Sequence, residues 1–73
     1  MARLRVLSGK SVCDILAIYG FVEVRRRGSH VIMQRKFAGN TITVPVPNHK
    51  EFRIGTLQSI IRQSGIPRNE FET

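Results

Sequence analysis

The sequence predicts an α+β domain of order α-β-β-β-α, with two helices on one face of a three-stranded antiparallel sheet. Three observations carry this. Apolar residues recur at helical spacing before Gly20, and again before Gly65. Two β-rich runs meet at Gly28-Ser29, a two-residue loop whose glycine supplies the positive φ of a type II′ hairpin turn. A third run alternates polar and apolar residues from Thr41 to Val44 before prolines intervene.

The first helix is expected over Ser8 to Tyr19. Ser8 caps it, Val12, Ile15, Leu16 and Tyr19 form its apolar stripe, and Gly20 ends it in the left-handed region. Phe21 to Arg27 and His30 to Arg35 then read as strands. With Gly28-Ser29 as the loop, Arg27 faces His30, Arg26 faces Val31 and Arg25 faces Ile32. Continued alternation sets Val24 against Met33, Glu23 against Gln34 and Val22 against Arg35. His30 thereby shares the polar face with Arg25 and Arg27, and Arg26 turns to the helix side or the sheet rim.

Lys36 to Asn40 reads as a turn and Thr41 to Val44 as the third strand, stopped by Pro45 and Pro47, which cannot donate to a ladder. Asn48 to Arg53 is a loop. Ile54 to Ser64 is the second helix, with Ile54, Leu57, Ile60 and Ile61 as its stripe and Gly65 as its stop. Ile66 to Phe71 is a last short turn entered through Pro67, with Phe71 folding back on the core.

Length and charge narrow the function. The 73 residues suit one small domain with a limited core. Twelve Lys and Arg against five Asp and Glu, a net charge of +7, point to an anionic partner: nucleic acid, an acidic protein, or both. No run has the length of a membrane span or the pattern of a signal peptide, and no membrane partner is expected. The lone Cys13 excludes an intrachain disulfide and fits a reducing, cytoplasmic setting. It reads as a small packed residue on the first helix rather than a nucleophile. Two histidines and one cysteine far apart in sequence lack metal-ligand spacing, so neither a metal nor a cofactor is expected.

The run Arg25-Arg26-Arg27-Gly28-Ser29-His30 carries the chemistry. It sets the one side chain that titrates near neutrality among fixed positive charges at an exposed turn. That suits binding a phosphodiester and moving a proton on it. His30 is the candidate catalytic residue, and Arg25 and Arg27 are candidate phosphate contacts. Gly28 is demanded by the turn; Ser29 either orients substrate or fills the loop. Lys36 and Lys50, with Lys10, Arg53 and Arg62, are candidates for a diffuse phosphate-binding surface. His49 has three readings: a cap for the second helix, a packing residue, or a second acid. The four phenylalanines are too scattered for a stacking platform and are assigned to the core.

The element order, together with Gly20-Phe21, Gly28-Ser29-His30, Val44-Pro45 followed by His49, and Gly55-Thr56-Leu57, resembles the HicA family of bacterial toxins. The likeness runs from Ser8-Gly9-Lys10 to the Ile66–Phe71 tail. It implies a double-stranded-RNA-binding-domain-like fold and a ribosome-independent endonuclease acting on mRNA. It also implies His30 as the catalytic residue and an acidic HicB-type antitoxin as partner. Measured from Val44-Pro45 the chain is longer and more proline-rich than the family's Val-Pro-x-His pattern, reading Val44-Pro45-Val46-Pro47-Asn48-His49, while Pro47-Asn48-His49 can be aligned to that pattern instead. Two other readings use the same fold and charge: a non-catalytic RNA-binding module, which needs no histidine chemistry, and an adaptor for an acidic protein.

Overall fold

A computed structural model of the protein describes residues 3–73. Its elements are α1 (Gly9–Ile18), β1 (Val22–Arg27), β2 (His30–Phe37), β3 (Asn40–Pro47), α2 (Ile54–Ser64) and a short 3₁₀ turn (Arg68–Phe71). The strands form one antiparallel sheet in the order β1-β2-β3. This is the α+β, double-stranded-RNA-binding-domain-like arrangement expected from the sequence.

α1 begins where Ser8 accepts a hydrogen bond from the Ser11 N–H at 3.1 Å. It ends in a Schellman motif: the Gly20 N–H donates to the Ala17 carbonyl at 3.0 Å and the Phe21 N–H to the Leu16 carbonyl at 3.1 Å. Gly20 has φ +92°, and Phe21 and Leu16 bury together. Val12, Ile15 and Leu16 of α1 meet Val31, Met33, Val44 and Val46 of the sheet and Leu57 and Ile60 of α2 in one core, closed by Phe71. Both helices therefore cover the same face. Ile54 does not join the expected stripe of α2; at the first turn it stands 66% exposed. Phe37 also misses the core, and the Arg35 guanidinium lies 4.4 Å above its ring.

The hairpin keeps the expected register nearest its turn and loses it further out. Arg27 faces His30, Arg26 faces Val31 and Arg25 faces Ile32, but Glu23 then faces Met33 and Val22 faces Gln34. A bulge at Val24 causes the shift, adding one residue to β1 and reversing its alternation. The reversal allows Phe21 to enter the core while Arg25 and Arg27 keep the open face. In an unbroken strand those odd-numbered residues would share a side. It also brings Glu23 and Arg26 to the same side, where they pair at 3.1 Å. Burying a phenylalanine is worth about 1.5–3 kcal/mol, and in this arrangement Val22 and Val24 stay largely exposed.

β3 is longer than the sequence suggests, and Pro45 and Pro47 lie within it. The hydrogen bond from the Asn48 N–H to the Ser29 carbonyl, 2.6 Å, explains this. Along this edge strand the even-numbered residues turn their N–H groups toward β2. The prolines occupy odd positions, whose N–H would point outward and bond nothing. They also blunt the edge against pairing with another chain. The loop before β3 is correspondingly shorter, with Phe37 facing Asn40 across Ala38-Gly39.

The first and last described segments pair as well. The Arg5 N–H donates to the Phe71 carbonyl and the Thr73 N–H to the Arg3 carbonyl, each at 2.8 Å. Nothing in the sequence pattern announced that pairing.

Candidate active site and nucleic-acid interface

The site is built on the open face of the sheet at its Gly28-Ser29 end. Gly28 has φ +57°, and among the described residues none other than glycine has positive φ. Only the first central residue of the turn is left-handed, as type II′ geometry requires. Directly opposed residues share a face, so Arg27 and His30 project together, and Arg25 lies one pleat along, opposite Ile32. All three side chains are exposed, as are Gly28 and Ser29. Arg26 points the other way, toward α1, and is held by Glu23, whose carboxylate pushes its already high pKa further up.

Two backbone hydrogen bonds brace this end. The Asn48–Ser29 bond ties the turn to the exit of β3. The Gly9 N–H donates to the His49 carbonyl at 2.8 Å, docking the start of α1 on the same segment. Gly9 is needed there, because a Cβ would stand 2.6 Å from the Pro47 carbonyl oxygen. His49 itself packs: its ring lies 6.0 Å from that of Phe52, centroid to centroid, at 46°. It is not a cap, since Arg53 holds the N-cap position of α2 and no side chain makes a cap bond there.

His30 opens into a groove of about 370 Å³. Pro47, its partner across the ladder, and Pro45 form one side. The other side comes from α2, through Gly55, Thr56, Ser59, Ile60 and Gln63. α2 packs along β3 and overhangs the sheet edge, so one flank of the helix reaches the open side. Thr56, Ser59 and Gln63 were not among the residues expected at the site. Their spacing of three and four is a readable polar stripe beside the apolar one. What the sequence does not say is that this stripe meets His30.

The remaining candidates disperse. Lys36 is on the His30 face but six positions along β2, about 20 Å away at 3.3 Å per residue. Lys50 is exposed in the loop two residues beyond Asn48, at the His30 end of the sheet. The Cys13 thiol is half-buried against the core, and burial, then Glu23 and Asp14, push its pKa up. That disfavours the nucleophilic thiolate, in keeping with a packed residue. Among the described residues no group of three or more His, Cys, Asp or Glu gathers in metal-ligating position. No helix among them is long and apolar enough to cross a membrane.

The geometry provides an exposed imidazole beside two guanidinium groups on a pleated surface, with a ligand-sized groove leading away from it. It can bind a phosphodiester and exchange a proton with it. Comparison with curated proteins returns no match. A family model described as the HicA toxin of bacterial toxin-antitoxin matches residues 9–66, from the glycine that docks α1 on the β3 exit to the end of the second helix and just beyond. The chain therefore belongs to the HicA family, the toxins of bacterial toxin–antitoxin pairs.

Proposed function

We propose that this toxin is a metal-independent endoribonuclease that cleaves mRNA in the cytoplasm, with His30 as its general acid–base residue. The observation that supports it best is the placement of His30, exposed and opposite Arg27 at the mouth of a groove. In the reaction His30 exchanges a proton with the ribose 2′-oxygen or with the 5′-oxygen. The 2′-oxygen bonds to the adjacent phosphorus, the bond from phosphorus to the 5′-oxygen breaks, and the proton lost from the 2′-hydroxyl is matched by one gained at the 5′-oxygen. A positioned histidine contributes ~10² to 10⁴ in rate. Arg25 and Arg27 face the charge that grows on the phosphorane oxygens, where fixed positive groups act with little reorganisation. Gly28 and Ser29 bring the backbone close to the phosphate, Lys36 extends the positive field along β2, and Lys50 adds to it from the loop at the His30 end.

The partner that silences it is an acidic HicB-type antitoxin seated over Arg25, Arg27 and His30, with charge steering its approach. The test is cleavage of an mRNA transcript in excess EDTA by wild type and His30→Ala. Wild type should leave 2′,3′-cyclic phosphate and 5′-hydroxyl ends. The variant should be folded, since exposed positions tolerate substitution within about 0.5 kcal/mol, and should not cut. Equal cleavage by the two proteins would remove His30 from the chemistry. RNA binding without cleavage by wild type would instead favour the non-catalytic RNA-binding module.

A further inference from the structure

We propose that the α2 wall of the His30 groove, chiefly Gln63 held against Ser59, receives the base next to the cleaved bond and decides which base is accepted. The inference rests on the endoribonuclease reading and assigns it a specificity element.

The groove has the make-up of a ligand site. Its volume of about 370 Å³ lies within the ~300–1,000 Å³ that such sites occupy. Pro45 and Pro47 give it apolar surface for the face of a ring, and Thr56, Ser59 and Gln63 give it a polar edge. The polar edge is ordered: Gln63 Nε2 donates to Ser59 Oγ at 2.9 Å. That bond uses one amide proton. It leaves the second proton and the carbonyl oxygen of Gln63 as one donor and one acceptor. Unpaired RNA bases are recognised by hydrogen bonds along their edges, and a side-chain amide offers a complementary donor–acceptor pair. A ribose placed for proton exchange with His30 stands at the groove that this wall also lines.

The groove is distinct from the electrostatic surface. Its lining holds no Lys, Arg, Asp or Glu, whereas Arg62, on another flank of α2, lies with Gln58, Ile61 and Arg68 at a separate depression. Loss of an arginine from that flank changes general attraction for RNA and carries no base information.

The experiment maps cleavage sites on a pool of defined-sequence RNAs for wild type, Gln63→Ala, Gln63→Glu and Arg62→Ala, with kcat and KM measured on one preferred and one poor substrate. Thermal melts establish that the variants are folded. Gln63→Ala should raise KM for the preferred substrate roughly tenfold, within the ~5- to 150-fold discrimination expected of an amide–base pair. Its kcat should stay within about threefold and its preference should flatten. Gln63→Glu, which replaces the donor by an acceptor, should redirect the preference rather than flatten it. Arg62→Ala should keep the wild-type pattern. An unchanged pattern and KM in both Gln63 variants would overturn the proposal, as would the same change in pattern on removing Arg62. If wild type cuts no RNA, the endoribonuclease reading itself fails; if it cuts and the wall variants match it, only the α2 assignment fails.

Discussion

Replacing Gly9 by alanine should destabilise the protein, although the same change at Gly55 should stabilise it. Both glycines lie in the first turn of a helix, where alanine is intrinsically the better residue. They differ in surroundings. A Cβ on Gly9 would sit 2.6 Å from the Pro47 oxygen, 3.1 Å from the Asn48 Cα and 3.4 Å from the His49 nitrogen, all backbone atoms that no rotamer change can move aside. The helix start cannot retreat either without stretching the 2.8 Å bond from the Gly9 N–H to the His49 carbonyl. Overpacking of this kind costs about 1–3 kcal/mol. At about 4–8 °C per kcal/mol for a chain of this size, Tm should fall by roughly 4–24 °C. A Cβ on Gly55 meets nothing within 4 Å, so Gly55→Ala should gain about 0.4–1 kcal/mol through the unfolded chain's lower entropy. Circular-dichroism melts of the two variants beside wild type decide the matter. Because Pro47 faces His30 across the ladder, Gly9→Ala should also lower RNA cleavage at temperatures where it is folded. A Gly9→Ala protein melting at or above wild type would refute the close-approach argument.

Three further outcomes follow from the geometry. Arg25→Ala and Arg27→Ala should each weaken RNA binding and reduce the slope of log affinity against log salt by about one per lost phosphate contact, whereas Arg26→Ala, directed toward α1 and paired with Glu23, should leave both nearly unchanged; a salt titration of binding checks this. The Tyr19 hydroxyl donates to Glu70 at 2.6 Å, which raises its pKa above the ordinary value near 10.0. The folded state thus favours neutral tyrosine, and the associated stability is complete below pH ~10 and lost as pH rises through the raised value; denaturation series from neutral to alkaline pH should show Tyr19→Phe losing less stability over that range than wild type. Cys13, half-buried with its pKa raised, should react with an alkylating reagent at neutral pH more slowly than a free model thiol, and equal rates would contradict its packing.

Much of this molecule is written in short-range pattern. The caps at Ser8, Gly20 and Gly65, the type II′ turn at Gly28, and the register of Arg25, Arg26 and Arg27 on Ile32, Val31 and His30 depend on residues within a few positions of one another. Turn chemistry and strand alternation therefore suffice to place His30 among Arg25 and Arg27. The bulge at Val24 escaped that reasoning because it settles a competition for the core between Phe21 and the two valines, and alternation knows nothing of what the core can accept. The prolines of β3 misled for a related reason. A proline ends a central strand but is neutral at outward-facing positions of an edge, and which edge is free is a property of the assembled sheet.

His30, its arginine neighbours and the basic character of the surface were thus determined by the sequence alone, since a hairpin brings them together without help from the rest of the chain. The groove was decided by tertiary structure. Thr56, Ser59 and Gln63 lie 26 or more positions from His30, and they meet it only because Leu57 and Ile60 bury against the sheet and rotate the adjoining flank of α2 over the β3 edge. Hydrophobic burial is non-directional and acts across the whole chain, so the side of the helix left facing the histidine is fixed by packing and by no local signal.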